Sequence, residues 1–231
     1  MNQMMQKQID TIRQRIQAAA TACNRNADEI TLVAVSKTMA PDIIAQGIQC
    51  GLNTLGENYI QEAREKIAMI HAPSVSWHYI GHLQSNKAKY AVRLFDLIHT
   101  VDSVKLAAEI DKQARKIDKI QQVLLQVNVG METSKSGVPP AEAVALAKMV
   151  SDFRNLQVKG LMTIPPVYDA PDLVAPYFRC LRELRDAIQQ ENIPRIDMQE
   201  LSMGMTGDFE VAIREGATLV RIGTAIFGKR A

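Results

Sequence analysis

With 27 basic and 25 acidic side chains among 231 residues, the formal charge is only +2, too balanced for binding dominated by a phosphate backbone, so nucleic acid is not an expected partner. The length suffices for one large core, and no apolar run approaches the roughly 20 residues of a membrane-spanning helix, so no membrane partner is expected either. Cys23, Cys50 and Cys180 are odd in number, far apart and free of any Cys-x-x-Cys spacing, which reads as reduced, buried thiols in a cytoplasmic protein.

Ile9, Ile12, Ile16, Ala19 and Cys23 recur at helical intervals among Gln, Lys and Arg, which predicts an amphipathic helix over residues 2–23 rather than a signal peptide. The β-branched run 30–35 predicts a strand that hands over to Lys37. Pro41 then opens a helix that Gly51 ends. Further strands are predicted at 53–55, 76–80, 97–100, 121–127, 156–162, 199–202 and 218–222. Between them, Asp102-Ser103 caps a helix running to about Lys116, Pro139-Pro140 opens another, residues 169–172 lead into a long one, and Gly216 stops the next. Eight strands each followed by a helix predict an α/β chain: a single (β/α)8 TIM barrel over residues 1–231, with the N-terminal helix packed on it. His71, His78, His82 and His99 place no two ligands on one helix face, so no metal is expected. Lys105, Lys112, Arg115, Lys116 and Lys119 read as a solvated basic face.

The C-terminal rim of such a barrel collects the residues just after each strand. Here it gathers Lys37, Gly56-Glu57-Asn58-Tyr59, Gly81-His82-Leu83-Gln84, Val101-Asp102, Asn128, Thr163, Ser202-Met203-Gly204-Met205-Thr206 and Arg221-Ile222-Gly223-Thr224. The loops after strands 7 and 8 often bind phosphate. Ser202, Gly204, Thr206, Gly223 and Thr224 could supply hydroxyl and backbone donors there, although the glycines read equally as tight turns. Lys37 is either a solvated rim residue or an amine made nucleophilic by a partly dehydrated mouth, which lowers a lysine pKa from its usual value of about 10.4. An amine at strand 1 and a phosphate subsite at strands 7 and 8 suit a ligand with aldehyde at one end and phosphate at the other, which points to pyridoxal 5′-phosphate. Arg221 would then face the pyridine nitrogen as a donor-only group, holding the ring without activating it. Its alternative is an ion pair with Glu200 or Glu57.

Long ordered motifs carry a resemblance to a known family. Leu32-Val33-Ala34-Val35-Ser36-Lys37, Gly56-Glu57-Asn58-Tyr59, Trp77-His78-Tyr79-Ile80-Gly81 with Leu83-Gln84-Ser85-Asn86-Lys87, Ser202-Met203-Gly204-Met205, and the run from Val220 to Gly228 resemble the pyridoxal phosphate homeostasis protein family. That family's fold is like the N-terminal barrel of alanine racemase. The resemblance implies that Lys37 holds the cofactor as a Schiff base and that Arg221 faces its ring nitrogen. It also implies that Ser202, Gly223 and Thr224 hold the phosphate, with Met203, Gly204 and Thr206 in the same loops, and that Asn58 lies beside the ring. Two departures are visible: His82 stands where the family commonly has proline, which leaves its role unassigned, and Thr206 where it commonly has serine, which keeps the hydroxyl.

Members of that family are described as binding and supplying or buffering the cofactor, without established turnover. Racemisation needs a base on each face of the cofactor, and Lys37 serves one face. The chain ends at Ala231 with no room for the second domain that supplies the other base in alanine racemases, leaving Tyr59 and His82 as the only rim substitutes. The expectation is therefore a cytoplasmic, monomeric carrier that passes pyridoxal 5′-phosphate to apo forms of enzymes that use it. The alternatives are a racemase or eliminase of amino acids, and a Schiff-base aldolase.

Overall fold

In the computed structural model, which describes residues 2–228, the apolar runs form β1 (Thr31–Val35), β2 (Thr54–Glu57), β3 (Ser76–Tyr79), β4 (Leu97–Val101), β5 (Gln121–Gln126), β6 (Leu156–Met162), β7 (Ile196–Met205) and β8 (Leu219–Ile222). They pair in chain order as one closed parallel barrel. Closure joins β8 to β1 with Val33 opposite Arg221 and Ala34 opposite Ile222. After the N-terminal helix α1 (Gln3–Ala22), each strand leads into a helix: α2 (Pro41–Gln49), α3 (Ile60–Ile70), α4 (Ala88–Leu94), α5 (Val104–Arg115), α6 (Ala143–Val150), α7 (Ala175–Gln190), α8 (Phe209–Arg214) and α9 (Thr224–Phe227). The expected TIM barrel with an extra N-terminal helix is the observed fold.

Local chemistry sets the boundaries. Asn2 caps α1 through the Met5 N–H, Pro41 occupies the first turn of α2, and Ser103 accepts from the Leu106 N–H at the start of α5. The last helix, α9, is one turn long. Helix α1 makes up for it by packing against α8, α9 and α2, and its stripe of Met5, Ile9, Ile12, Ile16 and Ala20 is buried over the seam where the barrel closes.

The main core lies between strands and helices. A smaller one, of Val33, Leu97, Leu124, Met162 and Leu219, fills the lower barrel. Alongside and above it the interior is polar, with Arg221 and Thr163 near the C-terminal mouth, Ser202 and His99 below them and His78 at the N-terminal end, all buried.

Some expectations need correction. Strand β7 runs six residues longer than the four predicted: it starts three residues earlier, at Ile196, and Met203, Gly204 and Met205 continue the strand instead of forming a loop. Only Cys50 among the cysteines is fully buried; Cys23 and Cys180 are half-buried, and all three are free thiols. Lys119 does not belong to a solvated face, since its ammonium donates to the carbonyls of Val92 and Phe95, both at 2.8 Å, closing the C-terminus of α4. Among the described residues no helix is long and apolar enough to cross a membrane.

Candidate functional site

A cavity of about 290 Å³ opens at the C-terminal mouth, close to the smallest volumes, about 300 Å³, usual for small-molecule sites. Alternation along β1 turns Val33 and Val35 inward, and Lys37 continues in the same direction onto the cavity wall. Asn58, Thr206, Arg221, Gly223 and Thr224 share that wall, so six of the nine residues expected at the site are brought together. Met205, expected on the rim, also lines it, but sequence reasoning missed the rest of its apolar part, made by Val35, Met39, Ile80, Ile164 and Phe227.

The remaining three lie elsewhere because β7 extends past them. Ser202 is fully buried inside the barrel beneath Arg221 and does not line the cavity. Met203 points the other way, into the core between barrel and helices. Gly204 has a positive φ of 91°, and a Cβ there would stand 2.6 Å from the Cβ of Ala212, so glycine is required for α8 to pack.

The backbone around Lys37 is held by a buried ionic cluster. The ammonium of Lys66, on α3, sits 2.8 Å from Glu57 Oε1 and 2.5 Å from Glu62 Oε1, and donates to the Ser36 carbonyl at 2.7 Å. Ser36 Oγ donates to Glu57 Oε1 at 2.7 Å. On the far side of Lys37, the Thr38 N–H donates to Glu62. The amine-bearing residue is thus tied on both sides to one cluster. Burial raises the Glu57 pKa from its ordinary value, opposed by the hydrogen bonds from Lys66 and Ser36. The next residue, Asn58, lines the cavity and has a buried side-chain oxygen with no hydrogen-bond partner.

Arg221 is 4% exposed. Its Nη1 donates to Ser202 Oγ at 2.5 Å and its Nη2 to the Thr163 carbonyl at 2.8 Å. Neither Glu200, which accepts from Thr218, nor Glu57 is its partner. Burial lowers its pKa to about 10, with Asp208 opposing the shift, so it stays cationic at neutral pH. Beneath it, His99 Nδ1 lies 2.8 Å from Ser202 Oγ, and His99 Nε2 lies 3.0 Å from His78 Nδ1. Burial drives the His78 pKa down to about 4 and that of His99 well below its usual value.

Two rim residues considered as a second base lie off the cavity wall. Tyr59 is 58% exposed, and the His82 side chain is equally open, with Nδ1 3.0 Å from Ser136 Oγ and 3.9 Å from Asp102 Oδ2.

Comparison with known proteins gives this arrangement a family. The alanine racemase N-terminal domain family matches residues 8–231. A pyridoxal phosphate homeostasis protein of Aquifex aeolicus is 45% identical over 224 residues, covering 97% of each chain. Its namesake in Escherichia coli is 42% identical over 95% of this chain and 94% of its own. Among solved structures, PipY of Synechococcus elongatus with pyridoxal phosphate bound superposes with a TM-score of 0.82 at 35% identity, over 93% of this chain and all of its own. An alanine racemase of Clostridium difficile, 14% identical, covers 98% of this chain and 56% of its own with a TM-score of 0.75, and shares the fold. At such identity over nearly the full length of both chains, the chain belongs to the pyridoxal phosphate homeostasis protein family.

Proposed function

We propose that this chain binds pyridoxal 5′-phosphate at the C-terminal mouth, holds it as a Schiff base on Lys37, and serves cofactor homeostasis as a carrier without turnover of its own. The observation that carries the reading is the joint lining of one cavity by an amine from β1, a guanidinium from β8 and the Gly223-Thr224 turn. When bound, the cofactor supplies an aldehyde for the amine, an aromatic ring and a phosphate. Thr206, Gly207, Gly223 and Thr224 would take the phosphate, using hydroxyls and the first-turn N–H groups of α9 that have no partner inside the helix. Arg221 would present donors to the ring nitrogen, and the unpartnered oxygen of Asn58 suits a donor on the ring's edge. Relatives named for pyridoxal phosphate homeostasis and the ligand-bound PipY support the choice of ligand.

The exposure of Tyr59 and His82, both off the cavity, favours a carrier over a racemase, since neither is set opposite Lys37. Acceptors of the cofactor would be apo forms of enzymes that use it. The test is the near-visible spectrum of the purified protein with added pyridoxal phosphate, before and after borohydride, and then peptide mass mapping. A reducible band that leaves a pyridoxyl adduct on Lys37, and disappears in Lys37→Ala, is the expected result. An unchanged band in Lys37→Ala would remove Lys37 as the anchor.

A further inference from the structure

The interior of the barrel carries a continuous line of hydrogen bonds from one mouth to the other. At the top, Arg221 lines the upper cavity. Below it come Ser202 and His99, both fully buried. At the bottom, His78 reaches a separate cavity of about 210 Å³ at the N-terminal mouth, beside Thr31, Asp96, Lys159 and Glu200.

The chemistry of the groups gives this line a direction. A guanidinium only donates, so Ser202 Oγ accepts from Arg221. The other partner of Ser202 Oγ among the described residues is His99 Nδ1. If His99 donated there as well, the serine proton would be buried without an acceptor, which is costly. The serine therefore donates to Nδ1, which leaves the proton of a neutral imidazole on Nε2. That Nε2–H meets His78 Nδ1 at 3.0 Å, so His78 in turn carries its proton on Nε2, toward the lower cavity. Burial, which keeps both rings neutral, agrees with this assignment.

We propose that His99, acting through Ser202, is a positioning residue for the cofactor-facing guanidinium, and that the line Arg221 to Ser202 to His99 to His78 donates in that one direction. The relevance to cofactor rests on the function proposed above; the donor direction does not. With Nη1 committed to Ser202 and Nη2 to the Thr163 carbonyl, the guanidinium plane is fixed from below. Its remaining N–H groups are left to the ligand.

Two measurements test this. Long-range 15N–1H NMR of the ligand-free protein at neutral pH reads both tautomers, and Nε2-protonated rings at His78 and His99 are expected. A proton on Nδ1 of His99, or an averaged mixture, overturns the donor direction. Absorbance titration with pyridoxal 5′-phosphate then compares His99→Leu, which removes the acceptor, with His99→Asn, whose Oδ1 can replace Nδ1. His99→Leu should bind about tenfold more weakly, the effect of one hydrogen bond to a charge-linked group, and His99→Asn should recover most of it. Equal binding by His99→Leu and wild type, or equal weakness of the two variants, overturns the positioning role. A wild-type protein that takes up no pyridoxal phosphate would instead refute the proposed function, while the tautomers would still decide the direction.

Discussion

The side chains that shape this site most are two kinds of buried ionisable group. Lys66 is nearly inaccessible and shares its ammonium between Glu57, Glu62 and the Ser36 carbonyl. Replacing it with methionine leaves Glu57 in the interior without its cation, which should cost about 3–5 kcal/mol. Urea unfolding at pH 7 checks this, and the double variant Lys66→Met/Glu57→Gln should recover part of the loss; a cost for Lys66→Met alone below about 1 kcal/mol would mean that the cluster is relaxed. The histidines set a second pH-dependence. His78 titrates near 6.5 when unfolded and at about 4 when folded, so the fold favours the neutral ring. Its contribution is fully present above about pH 6.5 and lost as the pH falls toward 4. By pH 5 the protein should have lost about 2 kcal/mol through His78 alone, and a His78→Asn variant should show a flatter profile between pH 7 and 5. Both clusters escaped sequence reading for one reason. His78 meets His99, and Lys66 meets Ser36, through strand register and helix docking, which motif spacing does not encode.

At the level of elements, alternation and helix caps made the barrel legible, and the places where they misled are the glycine-containing strand ends. Gly56 and Glu57 belong to β2 rather than to its loop, and Gly204 lies within β7. Glycine usually signals a turn, but here it lets elements approach one another inside the sheet. Lys37, Arg221, Gly223 and Thr224, at the ends of β1 and β8, line the cavity, while Ser202, Met203 and Gly204 lie off it. Gly81, after β3, shows the same constraint against Asn58 of the cavity wall. A Cβ there would stand 2.2 Å from the Asn58 carbonyl oxygen, a backbone atom that cannot turn aside. Gly81→Ala should therefore lower stability by about 2 kcal/mol or more and displace Asn58, weakening pyridoxal phosphate uptake. Gly207, on the same cavity wall, has nothing within 4 Å of an added Cβ. Thermal unfolding of Gly207→Ala should stay within about 0.5 kcal/mol of wild type; a matching loss in both variants would show that the Asn58 contact is not the cause.

Across the whole molecule the first and last strands meet at the barrel seam. Strand β8 pairs with β1, but the helix that should cover this join, α9, spans only Thr224–Phe227. Helix α1 covers it instead, burying Met5, Ile9, Ile12, Ile16 and Ala20 against its neighbours. Arg15 extends the contact over the Phe209 ring at 4.7 Å and to Glu210, and just beyond the helix Arg25 donates to the carbonyls of Ile213 and Ala217 at 2.9 and 2.8 Å. The four larger apolar side chains of α1 alone are worth about 1.5–3 kcal/mol each when buried. Their sum is comparable to the whole stability of an ordinary domain, about 5–15 kcal/mol. Helix α1 is therefore part of the closure rather than an appendage. Deleting residues 1–22 should leave a chain that unfolds without a cooperative transition and binds a hydrophobic dye. The milder Ile12→Ala should keep cooperativity and lose about 2–5 kcal/mol. Circular dichroism melts and dye fluorescence of the two proteins separate these outcomes. A truncated chain that melts sharply near the wild-type temperature would show that α8 and α9 close the seam unaided, and the burial on α1 would then serve something other than the barrel.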